Sequence, residues 1–148
     1  MLPPAPGRVS SVPVPDQPVR RDTSSDPSGP PERDPGAWAV APGCVLLSCS
    51  GELDAATAPA LAARLREREE PAVIVDLTAV SFMDSTGLSI LLNARLRYTR
   101  AERSLVVLCP DGPARRVLRL SGLEETLSVA DSLGAAQETL ARMGFAAG

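Results

Sequence analysis

The chain has 148 residues, 22% of them charged, and a net charge of −3, which points to one folded domain with a tail and offers no strong field to nucleic acid or an anionic membrane. It contains no histidine, and all fifteen of its basic residues are arginine. This excludes His-dependent triads, His-containing zinc sites, Schiff-base lysines and the lysine of a P-loop.

Residues 1–36 hold ten of the fifteen prolines, with Ser, Gly, Asp and Arg filling most of the rest. Such a segment has too little apolar surface to offset the entropy of ordering, so it is expected to be a disordered, solubilising tail. Pro27-Ser28-Gly29-Pro30 is a PxxP-like piece with a weaker claim as a ligand for a partner. No basic segment followed by an apolar one opens the chain, and no apolar run is long enough to span a bilayer, so a cytoplasmic protein without a membrane partner is expected.

From Ala37 onward, over 37–148, a single folded domain is expected. Two short apolar runs, 38–41 and 44–50, flank the turn signal Pro42-Gly43 and predict a hairpin. Gly51-Glu52-Leu53-Asp54 closes the second strand. Thr57 then reads as a helix N-cap, with Pro59 tolerated in the first turn, Leu61 and Leu65 facing the core, and Arg64, Arg66 and Arg68 facing water. Pro71 ends that helix. The β-branched run 72–77 predicts a buried strand. Leu88, Leu91, Leu92 and Leu96 are spaced as one face of a helix over 85–100. The run 104–109 predicts a further strand, and Pro110-Asp111-Gly112-Pro113 a turn into a short helix with Val117 and Leu118 inward and Gly122 at its end. A strand at 126–130 and a helix capped by Asp131 or Ser132, with Leu133, Ala136, Leu140 and Met143 on one face, complete the chain. Strands alternating with helices predict an α/β fold, a mixed and mostly parallel sheet of about five strands with about four helices. Cys44, Cys49 and Cys109 are odd in number and scattered, so they predict buried free thiols, and neither metal nor cofactor is expected.

Ser85 stands out. It lies between the predicted strand at 72–77 and the predicted helix at 85–100, beside Asp84 and two residues before Gly87. A hydroxyl at a helix N-terminus is either a cap or a handle for chemistry. Without His or Lys there is no usual base to make it a nucleophile, so a hydrolase is disfavoured and no catalytic residue is assigned. Asp84 reads as ordering the loop, or as orienting the hydroxyl. Gly87 permits close approach of a backbone or a partner side chain. Ile90 falls off the leucine stripe, either exposed beside Ser85 or packed under a loop. Arg115, Arg116 and Arg119 read as a solvated helix face.

Four blocks together resemble the STAS domain, and in particular the anti-sigma factor antagonists, or anti-anti-sigma factors, of Gram-positive bacteria. They are Gly51-Glu52-Leu53-Asp54 with Thr57, Val75-Asp76-Leu77, Phe82-Met83-Asp84-Ser85-Thr86-Gly87-Leu88, and the run from Ala114 to Leu123. The resemblance covers roughly 37–143. It implies the STAS fold and a partner-switching protein that is not an enzyme. Such a protein binds an anti-sigma factor that is also a serine kinase, and so frees a sigma factor for transcription. Phosphorylation of the serine aligned with Ser85 switches it off, and a serine phosphatase restores it. The resemblance also implies that the loop of Asp54 and Thr57 lies near Asp84, Ser85 and Gly87 and helps contact the kinase, and Ile90, with Thr86, Asn93 and Arg97, is read as part of the same docking face. A STAS subunit of a stress-sensing complex, or a lipid-transport accessory protein, is the alternative.

Overall fold

A computed structural model of the chain describes residues 34–146. The segment expected to be disordered, 1–36, lies almost wholly outside the described residues. The elements run β1 (Ala37–Ala41), β2 (Cys44–Leu53), α1 (Ala58–Glu67), β3 (Ala72–Met83), α2 (Ser85–Arg100), β4 (Ser104–Leu108), α3 (Pro113–Ser121), β5 (Val129–Ala130) and α4 (Leu133–Arg142). They build one five-stranded sheet in the order β1-β2-β3-β4-β5, antiparallel between β1 and β2 and parallel thereafter. The hairpin turns at Pro42-Gly43, where Gly43 takes the positive φ of 78° that a side chain would resist.

Successive strands are added in one direction, so crossovers of one hand carry α1, α2 and α3 to the same face. There Val45, Leu47, Val73, Val75, Leu105 and Val107 meet Leu61, Leu65, Leu91, Tyr98 and Leu118. The alternate strand residues, Cys44, Leu46, Ala72, Ile74, Val106 and Leu108, point to the other face, where Ala136 and Leu140 of α4 cover them. Period-2 alternation along β2 to β4 thus feeds two cores from one sheet. All three cysteines are free and buried, and burial pushes the Cys109 thiol up to about 11.

Three polar side chains lock the layers. The buried Tyr98 hydroxyl donates to Leu65 O at 2.8 Å, a carbonyl in the last turn of α1 that has no partner within the helix. Arg103 stacks 4.1 Å from the Tyr98 ring centroid and donates to Glu70 O and Arg68 O. Tyr98→Phe strands the Leu65 carbonyl, and it is expected to cost about 1–3 kcal/mol in denaturant unfolding. Arg115 is not on a solvated face: it donates to Cys109 O at 2.8 Å and pairs with both Glu124 and Asp131, pinning α3 to the ends of β4 and β5. Of its two neighbours, Arg116 and Arg119 do face solvent.

Several expectations need correction. β3 continues past Leu77 to Met83, because two register shifts let 78–83 keep pairing with β2. Ser48 and Ser50 oppose Asp76 and Ala79, and Gly51 and Glu52 oppose Val80 and Phe82, so β3 carries one extra residue at each shift. Asp76 fixes the first by accepting from the Thr78 amide and hydroxyl. The buried face of α2 is Gly87, Leu91, Ala94 and Tyr98, whereas Leu96 is 46% exposed and Leu88 and Leu92 only flank the core. α1 stops at Glu67 rather than reaching Pro71. Arg64 does not simply face water, since it donates to Ser48 O at 2.9 Å. The last strand shrinks to Val129–Ala130, after a turn with Ser128 at a φ of 53°. In α3 the buried residues are Ala114 and Leu118, with Val117 half-buried, and in α4 Leu133 is exposed.

Candidate partner-binding site

The last β3–β4 pair is Asp76 with Leu108, so residues 77–83 project beyond β4 as a two-stranded ribbon with β2, about 20 Å long at the usual strand rise. Parallel strands bring the carboxyl ends of β2 and β3 together at the tip. The loop 54–57 leaves one and α2 starts from the other. Leu53 O joins them: it accepts from Asp84 N at 3.3 Å, and a Cβ on Gly87 would lie only 2.9 Å from it. Gly87 is buried, and the backbone that approaches it is the chain's own.

Each loop is held by one carboxylate. Asp84 Oδ1 accepts from Thr86 N at 2.9 Å and Gly87 N at 3.4 Å, while Asp84 O accepts from Leu88 N. Asp84 is therefore the N-cap of α2, and Ser85 is the first helical residue. Asp54 Oδ1 accepts from Ala56 N at 3.0 Å and Thr57 N at 3.2 Å, an Asx turn. Thr57 makes no cap bond to α1. Its hydroxyl reaches back, donating to Glu52 O at 2.6 Å and accepting from Asp54 N at 3.0 Å. Thr57→Val is expected to cost about 0.5–1 kcal/mol and to speed hydrogen exchange at the Asp54 amide, because both backbone groups lose their partner.

Ser85 is exposed, and its hydroxyl makes no hydrogen bond among the described residues. Thr86 and Asp84 are half-buried beside it. Ile90 is half-buried and packs against the core beside Leu88 and Leu92. Asn93 and Arg97 are exposed on α2 at roughly 12 and 18 Å of helix rise from Ser85, so Arg97 lies at the far end of the helix from the tip. The structure thus gathers Asp54, Thr57, Asp84, Ser85, Thr86 and Gly87 in one place and sets Asn93 and Arg97 apart.

Sequence spacing missed two exposed residues here. Ser89 lies one turn beyond Ser85 on the row 85, 89, 93 and 97. Phe82 is 49% exposed, and it stands opposite Glu52, next to the core-facing pair Leu53 and Met83. The i+4 step could have revealed Ser89. Nothing in a run read as loop could have placed Phe82. Glu52, Asp54 and Asp84 form no ion pair among the described residues, whose ion pairs lie elsewhere. The tip is therefore an acidic, firmly held surface on which the exposed Ser85 hydroxyl is unengaged. The chain has no His or Lys to activate the Ser85 hydroxyl, so attack of Oγ on a phosphoryl donor would draw its base from outside this chain or from the Asp84 carboxylate beside it.

A family model for the STAS domain matches residues 38–136. The chain belongs to the STAS domain family. Relatives of this STAS domain include the anti-sigma-F factor antagonist RsfB of Mycobacterium tuberculosis, 34% identical over 94 residues, which cover 62% of this chain and 76% of the relative. The crystal structure of an anti-sigma factor antagonist from Mycobacterium paratuberculosis superposes with a TM-score of 0.58 at 33% identity, covering 66% of this chain and 85% of that one. The anti-sigma factor antagonist SpoIIAA in its unphosphorylated form superposes with a TM-score of 0.54 at 25% identity, covering 74% and 96%. The STAS fold, with its five-stranded mixed sheet and four helices, and the expected likeness to anti-sigma factor antagonists are both borne out. Among the described residues no helix is long and apolar enough to cross a membrane.

Proposed function

We propose that this STAS domain is a cytoplasmic anti-sigma factor antagonist, a binding switch that docks on an anti-sigma factor with serine kinase activity and is released when that kinase phosphorylates Ser85. A serine phosphatase resets it. What carries the reading is the exposed, unbonded hydroxyl of Ser85 at the first position of α2. A kinase needs a reachable hydroxyl, and a switch needs a modification that its own fold does not absorb. Asp84 already occupies the amides of Thr86 and Gly87. A phosphate on Ser85 finds the amides of Thr86 and Gly87 already taken and so stays on display. It brings about −1.5 to −2 charges and three acceptor oxygens to a surface that already carries Asp84, Asp54 and Glu52. Against a partner site shaped for a neutral hydroxyl, those charges must be desolvated. The relatives named as anti-sigma factor antagonists support the same reading.

The test is to incubate the full chain with ATP and each anti-sigma-type serine kinase from the same genome, then to map phosphate by mass spectrometry. One phosphate at Ser85 is expected, and none in Ser85→Ala. Incorporation at another residue, or none with any kinase, overturns the proposal.

A further inference from the structure

Of the chain's two phenylalanines, Phe145 packs against the α4 core, whereas Phe82 joins neither core and keeps about half its surface in water. Tyr98 is buried with its hydroxyl bonded, and Trp38 sits on β1, which pairs with only 44–47 of β2, far from Ser85. Phe82 is thus the exposed aromatic of the tip. It lies three residues before Ser85, on the part of β3 that β4 does not reach, opposite Glu52. The second register shift falls immediately before it. Gly51 faces Val80 and Glu52 faces Phe82, so Ser81 is the extra residue, and a bulge of this kind re-aims the side chain that follows. The backbone around it is tied down on both strands, since Glu52 O accepts from the Thr57 hydroxyl at 2.6 Å and Asp84 N donates to Leu53 O. The same tip carries the carboxylates of Glu52, Asp54 and Asp84, and none of them forms an ion pair among the described residues.

We propose that Phe82 is the affinity anchor of the docking tip, seated on binding in an apolar pocket that the anti-sigma kinase rims with basic side chains. This rests on the reading of Ser85 as that kinase's substrate, and it divides the work of the tip. Ser85 carries the switch, while Phe82 and the carboxylates around it carry recognition. Three features set the partner's chemistry. A ring on an immobilised backbone loses little further freedom on docking, which is why aromatic residues so often anchor interfaces. Phe82 belongs to neither core, so its exposed ring serves no packing within the fold. The unpaired carboxylates are complementary to cations, and a guanidinium that pairs with Glu52 also reaches the ring opposite it on β3. The ring leaves roughly 100 Å² to bury, worth at least about tenfold in affinity even after the cost of ordering the partner.

Steady-state phosphorylation of the full chain, by the kinase from the same genome that modifies Ser85, separates recognition from chemistry. Phe82→Ala is expected to raise KM at least about tenfold and to leave kcat within about twofold, because the ring is not among the reacting groups. Phe82→Thr, which keeps the strand propensity that alanine lacks, is expected to do the same, and it carries the test should the alanine variant melt early. Phe82→Tyr keeps the ring and should stay within about threefold of the parent. Glu52→Arg is expected to raise KM and to flatten its increase with salt, since the attraction that salt screens is gone. A smaller rise in KM for both Phe82→Ala and Phe82→Thr overturns the anchor while leaving phosphorylation of Ser85 in place. So does a loss confined to kcat, a tyrosine variant no better than alanine, or a salt dependence that Glu52→Arg leaves unchanged. A parent chain that no kinase phosphorylates at Ser85 defeats the underlying reading instead, and the anchor falls with it.

Discussion

Ser85→Asp is expected to lower affinity for the anti-sigma kinase at least a hundredfold while moving the melting temperature by no more than about 3 °C. The two halves of that result have separate causes. Ser85 is exposed and bonded to nothing, so its replacement removes no intramolecular contact. A carboxylate at the first helical position is mildly favourable, by about 0.3–1 kcal/mol. The neighbouring Asp84 works against that gain, and the net stays near zero. At an interface the balance is different. The new charge must leave water beside Asp84, with Asp54 and Glu52 in the same surface and no arginine paired to any of them among the described residues. An uncompensated buried charge costs several kcal/mol, and a hundredfold loss needs only about 2.8 kcal/mol. The phosphorylated protein, with nearly twice the charge, is expected to bind more weakly still. Ser85→Ala keeps a neutral surface and should bind within threefold of the parent. Isothermal titration against the kinase, with thermal unfolding of the free variants, separates the effects. Equal affinity for parent and Ser85→Asp defeats the switch, and a fall of more than about 8 °C in melting temperature assigns the loss to unfolding instead.

The order of elements and the mixed sheet were legible because short apolar runs rich in β-branched residues, such as Val73-Ile74-Val75 and Leu105-Val106-Val107, fit strands buried on both faces. The ribbon that carries the site was not. Leu77, Val80 and Met83 are its core-facing residues, and they fall three apart because each register shift inserts a residue. A strand period of two does not see them. The same bulges hid Phe82, whose exposure depends on which side of the kinked strand it leaves. The face of α2 was misread for a different reason. The leucines stand out in the sequence, but the buried row holds a glycine pressed against Leu53 O, an alanine, and a tyrosine whose hydroxyl bonds Leu65 O of α1. Arg64, Arg103 and Arg115 read as solvent-facing or carried no reading. Their partners are mainly backbone carbonyls, and no spacing rule in the sequence points to a carbonyl. Two parts of the motif were legible, since Asp84 does order the loop and Gly87 does permit a close backbone approach.

That close approach makes Gly87 the most sensitive point of the tip. In an ordinary helix Gly→Ala stabilises by about 1 kcal/mol, and α4 supplies the control: a Cβ on Gly134 meets nothing within 4 Å, so Gly134→Ala is expected to gain about 0.5–1 kcal/mol. At Gly87 the sign reverses. The added carbon would lie 2.9 Å from Leu53 O, 2.9 Å from Met83 Cγ and 3.0 Å from Leu53 Cγ. Met83 can shift, but Leu53 O is backbone and already holds Asp84 N. Relief requires α2 to move off β2, which loosens the bond that joins the two halves of the tip. Overpacking of this kind costs about 1–3 kcal/mol, enough to outweigh the propensity gain. Gly87→Ala is therefore expected to lower stability by about 1–2 kcal/mol in urea unfolding, and to weaken kinase binding even where the variant is fully folded, because Ser85 and Asp54 no longer keep their spacing. A stability gain equal to that of Gly134→Ala would mean that the helix moves freely over β2, and that the tip is not a single rigid unit.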